Sequence, residues 1–166
     1  PPSASEREAL LSRYYRPHHK SLADLVDQGL MEFGQVLVVD GHSFPDTPLP
    51  CDLDQSPNRP DFCIGTCDYH TPAWLTEWLK GSIEAEGYTV EFNRPYAGTL
   101  IPLKHYKKDQ RVSSVMVEVN RRLYLIDEPR DIGRKETFND IANFVKRMVA
   151  ELTHVAEAHA LTHSEM

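Results

Sequence analysis

The sequence contains no long hydrophobic run. None of its windows approaches the roughly 18 consecutive apolar residues that a membrane-spanning helix requires, and the opening residues, PPSASEREALL, lack the pattern of a secretory signal peptide. Cysteine is scarce, and an odd number of three argues against a framework of disulfide bonds. The formal charge of −7 argues against a nucleic-acid-binding surface. We therefore expect a cytoplasmic enzyme or binding protein with no membrane or nucleic-acid partner.

The length and composition suit a single domain, residues 1–166, with a hydrophobic core. The chain has 166 residues, of which 40% are apolar and 26% charged, as in ordinary soluble proteins. Hydrophobic spacing, proline and glycine predict helices over 3–33, 71–87 and 137–159, and strands over 35–40, 88–92 and 113–125. We expect the first helix to break or kink near Tyr15 and Arg16 because Pro17 follows. Strands separated by helices imply an α/β fold with a mainly parallel sheet.

His42 follows the most apolar of these strands, in the sequence VLVVDGHS. A continuous apolar run is typical of a strand that is buried on both faces, and ligands of parallel sheets bind beyond the carboxyl ends of the strands. One interpretation is a metal ligand whose second ring nitrogen is bonded by Asp40 or Ser43. The other is a turn histidine that is hydrogen-bonded to the backbone.

Glu118 is a carboxylate in the middle of a β-branched strand, SSVMVEVNRRLYL. Strand alternation places the neighbouring valines on one face and Glu118 on the other. A carboxylate buried there is costly unless it is paired or hydrogen-bonded. It is either a structural ion pair with Arg94, Arg121 or Arg122, or a general base that faces a cleft.

Asn93, Arg94 and Arg121 are the predicted substrate-binding residues. A planar guanidinium suits the bidentate capture of a carboxylate. Because the carboxyl ends of parallel strands meet at one edge of a sheet, we expect Asn93 and Arg94 to lie on the same edge as His42. These residues favour an anionic small molecule as the ligand.

Four stretches together resemble the N-formylglutamate amidohydrolase family. They are VVDGHSFP, RPDFCIGTCDYHTP, FNRPYAGTLIPLKHY and SVMVEVNRRLYL, and the segment RYYRPHHKSLADLV resembles the helix that precedes them in that family. Their order and spacing also agree, and the resemblance covers nearly the whole chain. The combination of the GHS and EVNRRLY motifs is specific to this family.

The resemblance implies a zinc-dependent amide hydrolase that releases formate and glutamate from N-formyl-L-glutamate, or acts on a related N-acyl amino acid. It implies a three-layer α/β sandwich with a mainly parallel or mixed sheet, similar to zinc carboxypeptidases. It also implies His42 as a zinc ligand and Glu118 as the catalytic base. Asn93, Arg94 and Arg121 would then bind the substrate carboxylates.

The chain departs from the family in two places. Family members carry an earlier segment with a Pro-His-Ser-Gly-like motif, which supplies the other zinc ligands, and this sequence has no such motif. We therefore expect the chain to be the C-terminal part of a family domain. The second departure is Cys67, where the family has an acidic residue that Asp68 would replace. The alternative to an enzyme is a non-catalytic relative or fragment that binds an acidic small molecule.

Overall fold

A four-stranded sheet with helices on both faces forms the body of the protein. The computed structural model describes residues 1–128 and 131–164. Its helices are α1 (Ala4–Leu10), a π-helical segment (Leu11–Tyr15), α2 (Arg16–Phe33), α3 (Ala73–Ala85) and α4 (Phe138–Ser164). Its strands are β1 (Val36–Phe44), β2 (Phe62–Gly65), β3 (Val90–Phe92), β4 (Val112–Asn120), β5 (Leu125–Glu128) and β6 (Asp131–Arg134). None of the described helices has the length and hydrophobicity that crossing a membrane requires.

A π-helical segment interrupts the N-terminal helix just before Pro17. The helix begins after Ser3, which forms a capping box with Glu6: Ser3 Oγ accepts from Glu6 N, and the Glu6 carboxylate accepts from Ser3 N at 2.8 Å. The break or kink expected near Tyr15 and Arg16 takes the form of a π-helical segment, Leu11–Tyr15, after which α2 begins at Arg16. Gly34, with a φ of 78°, ends the helix as expected.

The sheet is mixed and has the strand order β1-β4-β2-β3. β1 pairs with β4, and β2 with β3, in parallel, whereas β2 and β4 are antiparallel. The predicted α/β class is confirmed. The expectation that β1 and β3 end at one edge is wrong, because the antiparallel pairing of β2 with β4 makes β1 and β3 run in opposite directions. β2 is the cause, since in the sequence it is only a short apolar patch.

Apolar side chains cover both faces of the sheet. On one face, α3 and α4 pack on β2 and β4 around Phe62 and Val115. On the opposite face, Val26 of α2 packs against Ile101 and Val112. Strand alternation explains this division, because Val112 and Val115 point to opposite sides of β4. The helices therefore form one layer on each side of the sheet.

β1 is longer and less buried than its sequence predicts. It extends through the DGHS motif, so that His42 lies inside the strand, because its pairing with β4 continues as far as Phe44 and Asn120. The predicted burial on both faces is also wrong: the first three residues are half-buried, and Val39 is 37% exposed. Among the described residues, only one edge of β1 is paired with another strand.

β4 ends earlier than predicted, at Asn120. The Asn120 side chain accepts a hydrogen bond from Arg122 N at 3.1 Å and donates to Pro60 O at 3.0 Å, and a 3-10 turn (Arg121–Leu123) follows. The chain then forms the antiparallel hairpin of β5 and β6, which the hydrophobic pattern does not predict. The side chain of Asn120 thus ends the strand locally and positions Arg121 at its end.

Candidate active site

Four side chains form a row across one face of the sheet. The register pairs His42 of β1 with Glu118 of β4, Glu118 with Cys63 of β2, and Cys63 with Glu91 of β3. Paired residues on neighbouring strands face the same side, and the strands are about 4.8 Å apart. The two residues that the sequence singles out as metal ligand and base are therefore neighbours.

Glu118 is buried, and one of its carboxylate oxygens has no hydrogen-bond partner in the described part of the chain. Its side chain belongs to a residue that is only 7% exposed, and its Oε2 atom has no hydrogen bond to any described residue. Burial raises the pKa of Glu118 above its ordinary value; His42 and Arg121 act to lower it, and Asp40 acts to raise it further. The structural ion pair that was one interpretation of Glu118 is absent from the described part of the chain.

His42 is oriented by a carboxylate. Its Nε2 lies 2.8 Å from Asp40 Oδ1, and the two residues are on the same face of β1 because they are two positions apart. The side chain of His42 is 51% exposed, whereas that of Asp40 is 17% exposed. Of the two acceptors considered from the sequence, the structure selects Asp40, since Ser43 alternates to the other face. The second ring nitrogen, Nδ1, has no hydrogen bond to a described residue.

Arg121 lies close enough to Glu118 for its positive charge to stabilise the ionised carboxylate. It contributes to lowering the pKa of Glu118, and its own buried Nε has no hydrogen-bond partner among the described residues. Arg122 behaves differently, because it forms ion pairs with Asp61 at 2.9 Å and with Asp46 at 3.0 Å. The two adjacent arginines therefore differ. Arg122 links two loops through its ion pairs, whereas Arg121 has an N–H donor without a partner among the described residues.

Asn93 and Arg94 lie on the far side of the sheet and are engaged by other residues. Three strand spacings, roughly 14 Å, separate β3 from β1. Asn93 accepts a hydrogen bond from Thr66 N at 2.9 Å. Arg94 binds two carboxylates, Glu91 at 2.7 Å and Asp54 at 2.9 Å. Neither side chain hydrogen-bonds to the predicted ligand or base in the described part of the chain.

The residues present do not complete a zinc site. Within 1–128 and 131–164, no group of three or more His, Cys, Asp or Glu side chains is placed to hold a metal ion, whereas a catalytic zinc takes three protein ligands. His70 is buried and both of its ring nitrogens are used, Nδ1 at 2.7 Å from Val112 O and Nε2 at 2.8 Å from Lys107 N. His42 offers one ligand, and zinc does not fit here without others.

Cys63 is a neighbour of Glu118 that the sequence interpretation missed. Its Sγ donates to Tyr96 O at 3.1 Å, and burial raises the pKa of the thiol, so that it is neutral and adds an uncharged wall beside the carboxylate. The local signal for this strand is the run FCI before Gly65, and at three residues it is shorter than the runs that predict a strand. Cys67 and Asp68 instead line a separate cavity beyond the end of β2.

The fold and this row define an α/β protein whose sheet carries a histidine beside a buried carboxylate. A model of the N-formylglutamate amidohydrolase family matches residues 1–125. The chain belongs to that family, which confirms the resemblance of its motifs. A curated relative, the N-formylglutamate deformylase of Pseudomonas aeruginosa, is 29% identical over 156 residues, which are 91% of this chain and 55% of the relative.

Two solved structures are similar to this fold. The N-formylglutamate amidohydrolase of Ralstonia eutropha JMP134 has a TM-score of 0.80 and 26% identity, over 93% of this chain and 57% of that one. The gene product Atu2144 of Agrobacterium tumefaciens, with a TM-score of 0.53 and 19% identity over 98% of this chain and 55% of that one, shows the fold alone. The chain thus spans somewhat more than half the length of these relatives.

Proposed function

We propose that this chain carries the general base of a zinc-dependent amidohydrolase that converts N-formyl-L-glutamate to formate and glutamate. The observation that carries the proposal is the Oε2 atom of Glu118, which is buried without a partner among the described residues and lies in register beside His42. A buried carboxylate without a partner destabilises a fold, and such groups are concentrated at functional sites. The names of the family and of its relatives suggest the substrate.

Glu118 has the properties of a general base. Burial raises the pKa of Glu118 above its ordinary value, which makes the carboxylate a stronger base. In the proposed reaction, Glu118 takes a proton from a water molecule as the water oxygen bonds to the formyl carbon. The C–N bond then breaks, Glu118 returns the proton to the leaving nitrogen, and the carboxylate is regenerated.

Zinc is part of the proposal, with one ligand assigned. His42 would bind it through Nδ1, because Asp40 is bonded to Nε2 and a carboxylate at the other nitrogen orients ligating histidines. A zinc ion held there would supply a Lewis acid for the carbonyl oxygen and for water. The described residues form no group of three or more possible metal ligands, so the other ligands of the zinc must come from elsewhere. The likeness to zinc carboxypeptidases belongs to the same proposal.

Arg121 is the substrate-binding residue that the geometry favours among the three predicted from the sequence. We expect Arg121→Leu to raise KM for N-formyl-L-glutamate by about 10- to 100-fold, since a hydrogen bond to a charged group contributes about 1.5–3 kcal/mol. Initial rates of formate release measure this. Arg147→Leu is the control, because Arg147 is exposed and pairs with Glu86 on the helical face. A KM within twofold of the unmodified protein would mean that another residue binds the substrate carboxylate. Arg94 would then be the next residue to replace.

Formate release tests the function itself. The purified chain is supplied with zinc and N-formyl-L-glutamate, alone and together with a remainder polypeptide, defined as the separately produced part of the Pseudomonas aeruginosa relative that this chain does not match. Catalytic release in either sample, above that of the remainder polypeptide alone, is the expected result. Binding of N-formyl-L-glutamate without formate release in both samples would favour the non-catalytic alternative and contradict the proposed function.

A further inference from the structure

A cavity beyond the carboxyl end of β2, here called the β2 cavity, is separate from the row that holds His42 and Glu118. Its volume is about 590 Å³, and small-molecule sites have volumes of roughly 300–1,000 Å³. Because β2 runs antiparallel to β4, and β1 parallel to β4, the cavity is at the opposite end of the sheet from the carboxyl end of β1. Its lining includes Thr66, Asp68, Tyr69, Thr99, Tyr106 and Lys107.

Two strained residues build the walls of the β2 cavity. In the described part of the chain, the non-glycine residues with positive φ are Asn93, at 55°, and Lys107, at 54°. Asn93 Oδ1 accepts hydrogen bonds from Thr66 N at 2.9 Å and from Gly98 N at 3.3 Å, and both donors belong to the lining. Lys107 is a lining residue itself. Such conformations are concentrated at functional sites, where the surrounding structure enforces them.

A buried histidine holds the backbone of Lys107 in this conformation. His70 is 1% exposed, and its Nε2 accepts a hydrogen bond from Lys107 N at 2.8 Å while its Nδ1 donates to Val112 O at 2.7 Å. The rings of two lining residues flank it, with centroids 4.7 Å away for Tyr69 and 6.0 Å away for Tyr106. His70 therefore joins the start of β4 to one wall of the cavity.

The lining of the β2 cavity carries one charge of each sign. Asp68 and Lys107 are its charged residues, and neither forms an ion pair within the described part of the chain; Lys107 Nζ lies 5.4 Å from the centre of the Tyr106 ring. The Thr66 hydroxyl accepts from Asn93 Nδ2 at 2.7 Å and keeps its own proton to donate. An anion would be repelled by Asp68 and a cation by Lys107. A molecule that carries both charges is complementary to this lining.

We propose that the β2 cavity binds a free amino acid with an apolar or aromatic side chain. Lys107 and the Thr66 hydroxyl donate to its carboxylate, and Asp68 accepts from its ammonium group. The rings of Tyr69 and Tyr106 contact its side chain. This ligand takes no part in the hydrolysis of N-formyl-L-glutamate, so the inference goes beyond the proposed function and does not rest on it.

The probe in the test is L-phenylalanine, and binding to the purified chain is measured by ligand-observed NMR. N-acetyl-L-phenylalanine lacks the ammonium charge and L-phenylalaninamide lacks the carboxylate, so each should bind about tenfold more weakly than L-phenylalanine. Lys107→Gln and Asp68→Asn should each weaken the binding of L-phenylalanine by about the same factor. Lys108→Gln is the matched control, because Lys108 is the exposed neighbour of Lys107 outside the lining.

Two cysteines report where the probe binds. Cys67 is half-buried in the wall of the β2 cavity, whereas Cys51 is exposed in another part of the chain. Alkylation by N-ethylmaleimide is followed for each residue by peptide mass spectrometry. L-phenylalanine should slow the alkylation of Cys67 and leave that of Cys51 unchanged.

Three results would overturn the proposal. One is the absence of L-phenylalanine binding at millimolar concentrations. The second is binding that neither Lys107→Gln nor Asp68→Asn weakens, or that leaves the alkylation of Cys67 unchanged, since the probe would then occupy another place. The third is equal binding of N-acetyl-L-phenylalanine, which would make the ligand an anion and leave Asp68 without a role. None of these measurements depends on formate release, so a failure here and a failure of the proposed function are distinguishable.

Discussion

Replacing Glu118 with glutamine is expected to lower kcat for formate release by about 10²- to 10⁴-fold, with little change in KM. General acid–base catalysis contributes about this much, and glutamine has nearly the same shape but cannot accept the proton. The assay uses whichever preparation of the unmodified protein is active, the chain alone or its complex with the remainder polypeptide. Glu84→Gln is the matched control, because Glu84 is exposed on α3 and pairs with Lys80.

The pH dependence of catalysis and of stability provides an independent check on Glu118. A base works only when deprotonated, so kcat/KM of the unmodified protein should fall as the pH drops through the raised pKa of Glu118. The effect on stability has the opposite sense. Burial disfavours the ionised form of Glu118. The folded protein is therefore more stable at acidic pH, where Glu118 is protonated, and loses this stability as the pH rises through that pKa. Glu118→Gln should therefore have a higher Tm than the unmodified protein at pH 7, a difference that disappears near pH 4.

Two outcomes would contradict the assignment of Glu118 as the base. One is a kcat within a few-fold of the unmodified protein, since another group would then accept the proton. The other is a Glu118→Gln variant that is less stable at pH 7 and equally active, which is the behaviour of a carboxylate in a structural network. The Glu84→Gln control should leave both kcat and the acid limb unchanged.

Replacing Phe62 with alanine is expected to have the largest effect on stability. Phe62 is fully buried on β2, and its ring packs edge-to-face on Phe144 of α4 at 5.7 Å and against Tyr88 at 5.4 Å. Truncating a buried phenylalanine costs about 3–5 kcal/mol, which is roughly 6–20 °C in Tm for a domain of this size. Thermal unfolding followed by circular dichroism measures the change.

Phe92→Ala is the matched control for this prediction. Phe92 lies on the neighbouring strand β3 and is 39% exposed, so its truncation leaves a smaller loss of packing, about 1 kcal/mol. Equal decreases in Tm for the two variants would contradict the placement of Phe62 in the core between the sheet and α4. Stability is measured on the chain alone, so this test is independent of any partner.

The helices could be predicted from the sequence because their signals are local. Ser3 with Glu6 begins the first helix and Gly34 ends it, and these residues act through neighbours within one turn. Pro17 was a local signal too, but its effect depends on whether the preceding turn rearranges, and here the turn became π-helical. Local patterns therefore located the helices and the interruption before the proline.

The sheet and the site could be predicted only in part, because strand order and register are not local. Glu118 and His42 stood out because a carboxylate and a histidine in apolar strands require an explanation. Their adjacency depends on the pairing of β1 with β4, which no short pattern encodes. Arg94 stays a prediction: residue type favours it, but β3 runs opposite to β1, and Asp54 and Glu91 bind its guanidinium.

The zinc content of the purified protein tests the proposed site most directly. Elemental mass spectrometry is performed after dialysis against metal-free buffer, on the chain alone and on its complex with the remainder polypeptide. We expect the chain alone to retain no zinc, since three ligands are needed and its described residues group fewer. The complex should retain one zinc per chain, and His42→Ala should abolish this retention while His154→Ala does not. Zinc retained equally by the complex with His42→Ala would contradict the site described here.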